Sequence, residues 1–393
     1  MHDQHQTACP PASSAARTAR IPSVCQLRIA VVGGSLTGPV AAHLLLQAGF
    51  DHVGVYEAAP AEAPQAGGLI SLEHSALDVL DRLDIPQAEF VIADSETIWQ
   101  IAVRDRRPAD TVRRVYPGRF TTWTQLHRAL TARLPAGVLH AGARVTGLDE
   151  HCGGPVLRFA DGRSEPADLV VFADGRSSAG RRLLDPRRQL RYAGYIAHRG
   201  QTHAGAGHLV DFLRLEPCPG VQFNIAPIPA GADWTFYLNA TAAEYTARFG
   251  APPERRVFAL PHHVSPVARA EVNDHAERHL PEEQVAAVHA TTSRMAVPVM
   301  DIAPPTAMVW PVGAGHAVLL GDALAPVRPH TARGANNGIE QAAGLVAALT
   351  QHRKYGADLG GALNGWQRRH LPTAVASVRL GPVIGARLGL GPA

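Results

Sequence analysis

The chain has 393 residues, a formal charge of +3 and 46% hydrophobic residues. That length can bury one large core or two smaller ones, and arginines spread along it without a basic arm set nucleic acid aside as a partner. No apolar run reaches membrane-spanning length, which sets a membrane aside too. The four cysteines, Cys9, Cys25, Cys152 and Cys218, have no CxxC spacing, which points to a reducing, cytoplasmic setting and to no metal.

Residues 1–27 are rich in Ala, Ser, Pro and Thr and lack the continuous apolar core of a secretory signal, so a flexible leader is expected there. Residues 29–57, IAVVGGSLTGPVAAHLLLQAGFDHVGVYE, are the most informative stretch. A short apolar run meets a Gly-rich turn, a helical pattern follows, and a second apolar run ends on Glu57. This is the strand–turn–helix–strand order of a dinucleotide-binding unit. Gly33 suits the tight turn and Gly38 the close approach of helix and strand. Ser35 stands where the pattern has its second glycine. The backbone from Gly33 through Gly34, Ser35, Leu36 and Thr37 to Gly38 would present N–H groups to a pyrophosphate at a helix start. Glu57, roughly twenty residues on, suits a ribose hydroxyl. This motif alone leaves FAD and NAD open, and a βα turn in some other α/β protein would look the same.

Further along, Gly67–Gly68 make a turn and the spacing from Ala76 to Leu83 predicts a helix. Residues 96–116 have polar strand character, 123–134 form an amphipathic helix, and 156–175 read as two strands around the Asp161–Gly162 turn. From Tyr192 to about Thr241, short aromatic and β-branched runs separated by turns predict a mainly antiparallel sheet. Residues 242–292 are polar and partly helical. A buried strand at Ala317–Leu320 ends in Gly321–Asp322, a loop carries Pro326 and Pro329, and a long helix begins near Asn336. The tail is helical to about Arg379.

Three separated motifs line up: the turn at 33–38, the run Asp174-Gly175-x-x-Ser178-x-x-Arg181 after an apolar strand, and Gly321-Asp322-Ala323 with its proline loop and Gly334. In this order the chain resembles the single-component FAD-dependent aromatic hydroxylases over about residues 28–370. The stretches VVGGS, FTTW, YAGY..HRG and GDA…RPH are similar to the 2,6-dihydroxypyridine hydroxylase branch. The resemblance implies an α/β fold, a Rossmann-like FAD-binding domain of glutathione-reductase type with an inserted, mainly antiparallel β-sheet substrate domain. The segments would be 28–185 and 301–393 for FAD and 186–300 for substrate.

The resemblance also implies roles. Glu57 would bind the adenosine ribose and Asp322, after Gly321, the ribityl or phosphate part of FAD. Pro329 would lie beside the isoalloxazine, and Gly334, Ala335 and Asn336 would aim helix N–H groups at its N1/O2 edge, where reduced flavin carries negative charge. Asp174, Gly175 and Arg181 would serve the pyrophosphate region and engagement of NADPH or NADH. The reaction implied is hydroxylation by O₂ of a phenolic, hydroxypyridine-like or polycyclic ring through a flavin C4a-hydroperoxide, in an enzyme that is commonly a homodimer. His330, His198 and the pair His262/His263 are candidate bases for a substrate hydroxyl. His330 leads because it follows Pro329. Arg328 would face either a substrate anion or a surface carboxylate.

The departures are Phe172, where glycine is common, Ala325 in place of His, and Thr121-Thr122-Trp123, where a flavin-contacting Arg is usual. An NAD-dependent dehydrogenase would not need the Gly321–His330 loop. The W-x-W-x-I-P run of flavin halogenases and the F-x-G-x-x-x-H-x-x-x-W run of Baeyer–Villiger enzymes are absent. A tailoring flavoenzyme of the same fold, which epoxidises, oxidises or rearranges a metabolite, and a flavin-binding protein without catalysis are the other readings.

Overall fold

The computed structural model describes residues 27–63, 67–151, 153–203, 208–229 and 231–391. The expected leader lies outside them except for Leu27, which is buried. Strand β1 (Ile29–Val32) turns into α1 (Thr37–Gln47), and β2 (Val53–Tyr56) returns parallel to β1. All four residues of β1 are buried, which suits a central parallel strand covered on both faces. Gly33 sits at φ +108°, and a Cβ on Gly38 would lie 1.8 Å from the Gly33 carbonyl oxygen, so both positions require glycine.

The chain continues through β3 (Leu69–Glu73), α2 (His74–Asp81), β4 (Val91–Ala93), β5 (Thr97–Arg104), β6 (Arg107–Val115), β7 (Gly118–Thr122) and α3 (Trp123–Thr131). Next come β8 (Leu139–His140), β9 (Val145–His151), β10 (Gly154–Phe159), β11 (Ser164–Pro166), β12 (Leu169–Phe172) and α4 (Ala179–Leu184). The middle holds β13 (Arg191–Thr202), β14 (Phe212–Cys218), β15 (Val221–Ile228), β16 (Gly231–Asn239), α5 (Ala242–Phe249), α6 (Pro266–His279), α7 (Glu282–Ala290) and β17 (Arg294–Asp301). The last stretch is β18 (Val309–Val312), β19 (Gly315–Leu319), α8 (Gly321–Leu324), α9 (Gly334–Tyr355) and α10 (Leu359–Arg387).

One main sheet has the order β18-β19-β12-β1-β2-β8, with β19, β12, β1 and β2 parallel. The other has the order β17-β13-β16-β15-β14-β5-β6 and is antiparallel apart from the β14–β5 pair. Strands β5 and β6 therefore belong to the second sheet although they lie within the 28–185 segment. Their alternation identifies strands, but pairing with residues such as Phe212, opposite Ile98, is a long-range choice. Residues 156–175 contain parts of three strands rather than two, and α10 runs past Arg379 through Pro372 and Pro382. Among the described residues no helix is long and apolar enough to cross a membrane.

The two faces of the second sheet differ because successive side chains point to opposite sides. Leu215, Phe223, Trp234 and Phe236 pack with Val272, Ala276 and Val288 of α6 and α7. The opposite face carries a cross-strand row, Arg199–Thr235–Asn224–Arg214, in direct register. That polar row faces the cavities described next.

Candidate active site

Two cavities meet between the sheets. The larger, about 810 Å³, is lined by Gly33, Glu57, Asp174, Arg176 and Met300 among others. The smaller, about 330 Å³, is lined by Ile98, Phe120, Phe212, Arg214, Asn224, Tyr237 and His330 among others. Ser35, Trp123, Ala173, Gly175, Arg199, Asp322, Val327 and Pro329 line both, so the two spaces are continuous. Volumes of this size suit a cofactor with a small substrate.

The turn after β1 builds the floor of the larger cavity. The Gly34 N–H donates to Glu57 Oε2 at 2.6 Å and the Ala59 N–H to Oε1 at 2.7 Å. Glu57 is thus held by two backbone donors while still lining the cavity. Helix α1 begins with no side-chain cap and no acidic residue in its first turn, and Leu36 and Thr37 line the smaller cavity. Helix α9 also begins uncapped, with Gly334 and Ala335 on that cavity. Two helix starts with unsatisfied N–H groups therefore converge on one space, which suits anionic groups. The Nε of Arg176, buried without a hydrogen-bond partner, adds a donor; burial pushes this arginine's pKa down to about 10. These features fit FAD.

Other motif residues brace the loops. The Asp174 carboxylate accepts from the Ser178 hydroxyl and the Ala179 N–H, both at 2.5 Å, and burial raises its pKa. Arg181 lines neither cavity: its Nη1 donates to the carbonyls of Asp322 and Ala323 at 3.0 and 2.8 Å, and Nη2 donates to the Arg176 carbonyl. It ties the Asp174 loop to the Asp322 loop instead of facing a pyrophosphate. Gly321 and Asn336 serve similarly. The Gly321 N–H donates to Gln341 Oε1 at 2.8 Å, and the buried Asn336 amide bridges Glu73 N–H and the Ser71 and Ala332 carbonyls. Phe172 is accommodated by Gly180, where a Cβ would lie 2.1 Å from its ring.

The histidine candidates separate clearly. His330 lines the smaller cavity with its ring 4.4 Å from that of Tyr237, but burial, then Arg214 and Arg328, push its pKa down to about 3. It is neutral near pH 7 and too weak to be an effective base. His198 points the other way from Arg199, into the packing with Phe249, and lines neither cavity. His262 is exposed and also lines neither, as does His263. Arg328 is buried in a two-point pair with Asp301, at 2.7 and 2.5 Å, so it answers a carboxylate of its own chain. Tyr237 faces the cavity while Trp234 and Phe236 are core, as alternation on one strand requires. Met295 and Met300 line the larger cavity. Arg176, Arg199, Arg214 and Asn224 were not singled out from sequence. Arg214 and Asn224 carry only the signal of a polar residue between apolar ones, Arg176 lies inside the Asp174–Ser178 run, and Arg199 stands between His198 and Gly200. Among the described residues no His, Cys, Asp and Glu cluster suits a metal.

No family model matches the chain. It is 32% identical over 367 residues to a 3-amino-4-hydroxybenzoate 2-monooxygenase of Streptomyces platensis, covering 88% of this chain and 84% of the relative. It is 29% identical over 355 residues to a 6-hydroxynicotinate 3-monooxygenase of Pseudomonas fluorescens, covering 86% of each. Its fold superposes on 2,6-dihydroxypyridine-3-hydroxylase from Arthrobacter nicotinovorans with a TM-score of 0.80 at 24% identity, covering 92% and 93% of the two chains. The chain belongs to the FAD-dependent aromatic hydroxylases. It is accordingly an NAD(P)H-consuming flavin monooxygenase acting on an aromatic ring.

Proposed function

We propose that the larger cavity takes the adenosine of FAD, with Glu57 on the ribose, and that the pyrophosphate lies toward the junction, where Ser35 lines both cavities and α1 starts. The flavin ring then reaches the junction, between Pro329 and the start of α9, and a single-ring phenol or hydroxypyridine fills the smaller cavity. The observation that carries this reading is the convergence of two uncapped helix starts on the joined cavities. When bound and reduced by NAD(P)H, FAD supplies the oxygen-transfer chemistry.

The chain's own residues do the rest. The N–H groups at the start of α9 stabilise negative charge on the nearby ring edge. Ile98, Phe120 and Phe212 keep water from the ring to be hydroxylated. Tyr237 and neutral His330 orient it by packing and hydrogen bonding. A substrate hydroxyl loses its proton to another acceptor than His330 or binds already ionised. The reading carries with it a cytoplasmic setting, in keeping with the free Cys218, and a homodimer, which light scattering tests.

The test is the visible spectrum of the purified protein, then NAD(P)H oxidation in air with a panel of phenols and hydroxypyridines. Flavin absorption, oxidation stimulated by one ring class and a product heavier by one oxygen are expected. Flavin absorption without ring-stimulated oxidation overturns the substrate assignment, and a protein that takes up no FAD overturns the whole reading.

A further inference from the structure

A buried carboxylate stands just behind the junction of the two cavities. Asp233, on β16, is 2% exposed and lines neither cavity. Its Oδ1 accepts from the Leu69 N–H at 3.3 Å and its Oδ2 from the Gln201 amide at 3.1 Å. Both donors are neutral, and an asparagine would serve them as well. The fold needs an acceptor there, whereas a buried charge is costly unless another charge answers it. Arg199 answers it. In the register of β13 and β16, Gln201 stands opposite Asp233 and Thr235 opposite Arg199. Asp233 and Arg199 are therefore diagonal neighbours on one face, with backbones about 7–8 Å apart.

Arg199 is the cation of the junction. It lines both cavities, and its Nε is buried with no hydrogen-bond partner. Its Nη1 lies only 2.4 Å from where a Cβ on Gly68 would be, so glycine is what lets the arginine rest on that backbone. The segment 67–69 is held at every residue: Gly67 packs on Trp123, Gly68 on Arg199, and the Leu69 N–H donates to Asp233. We propose that Asp233 is a positioning residue of the junction, which keeps Arg199 against the 67–69 segment and cancels its charge beside the flavin ring. This rests on the hydroxylase reading, which brings the ring to the junction. Asp233 itself touches neither cofactor nor substrate.

The consequence is electrostatic. Reduced flavin carries negative charge, so an uncancelled Arg199 favours it over oxidised flavin, and ionised Asp233 removes that bias. Burial raises the Asp233 pKa from 3.8 to about 6, against the lowering by Arg199, Gln201 and the Leu69 N–H. Tyr237, on the same strand, also faces this pair of charges. Asp233 is ionised above about pH 6 and neutral below it.

The experiment measures the midpoint potential of FAD-loaded enzyme against a reference dye over a range of pH. Wild type, Asp233→Asn and the double variant Asp233→Asn with Arg199→Gln are compared. At about pH 8, Asp233→Asn is expected to favour reduced over oxidised flavin about tenfold more than wild type does, a rise of about 30 mV for a two-electron couple. The difference closes as pH falls below the Asp233 pKa, and the charge-neutral double variant returns to the wild-type potential. A merely structural role for Asp233 predicts neither result. A potential for Asp233→Asn that equals or lies below that of wild type overturns the proposal, as does a rise that survives Arg199→Gln. FAD content reports that each variant is folded, and Asp233→Ser is a second neutral variant. If neither neutral variant takes up FAD, the fold itself needs the carboxylate and the proposal falls. Wild-type protein without flavin absorption is a different result, which removes the hydroxylase reading and this proposal with it.

Discussion

The indole N–H of Trp123 donates to the Ser35 hydroxyl at 2.9 Å. The residue that breaks the glycine pattern of the first turn and the residue that stands where a flavin-contacting Arg is usual therefore hold one another. Both line both cavities, and the Trp123 ring stacks on His127, 4.5 Å away, whose Nε2 lies 3.1 Å from the Gly34 carbonyl oxygen. The two departures compensate and build one wall.

That coupling is measurable. Trp123→Phe and Ser35→Ala each lose the bond, and the double variant loses it only once. A double-mutant cycle on urea unfolding is expected to show a coupling of about 1 kcal/mol. Strict additivity means the bond contributes nothing in solution.

Gly38→Ala puts a methyl group 1.8 Å from a backbone oxygen that the turn cannot move aside. We expect a loss of about 3 kcal/mol or more, or no FAD uptake at all. Gly142→Ala is the contrast: it meets nothing within 4 Å but sits at φ +73°, so only about 1 kcal/mol is expected. Similar melting temperatures for the two variants would contradict the close approach at the turn.

Arg181→Lys keeps the charge and loses the fork that reaches three carbonyls. The Asp174 and Asp322 loops then part, and FAD affinity is expected to fall about tenfold, with a lower melting temperature. Unchanged flavin retention on dilution would show that the loops hold without the brace.

His198 carries a pH signature. Burial, with Arg248, His275 and Arg294 adding to it, pushes its pKa from 6.5 down to about 3. The folded value lies below the unfolded one, so as pH falls the unfolded chain takes up the proton first. The stability is present above pH 6.5 and is lost as pH falls toward 3. His198→Phe removes that proton, and its unfolding free energy should vary with pH less steeply by about 1.4 kcal/mol per unit within this window. His330 contributes a second proton in the same range. Parallel pH curves for wild type and variant would mean that His198 titrates freely.

What the sequence discloses is what a few neighbouring residues decide. The strand–turn–helix unit at 29–57 is local, and Gly33 and Gly38 are required by contacts inside their own turn. The motifs around Asp174 and Asp322 likewise border the cavities. Side-chain direction is less visible. Arg181, Arg328 and Asn336 stand beside the site in sequence, yet each turns to partners far along the chain. The row from Arg199 to Arg214 is invisible before pairing, because it exists only in the register of four strands. The same holds for β5 and β6, whose partner strand lies beyond β13.

The parallel pairing of β12 with β19 sets a clock on this molecule. Gly33 is made first, Asp174 later, and Asp322 last of the three. A nascent chain that stops before β19 has a first turn but lacks the Asp322 side of both cavities. A ligand held between these walls therefore adds its stability only to chains that extend past β19.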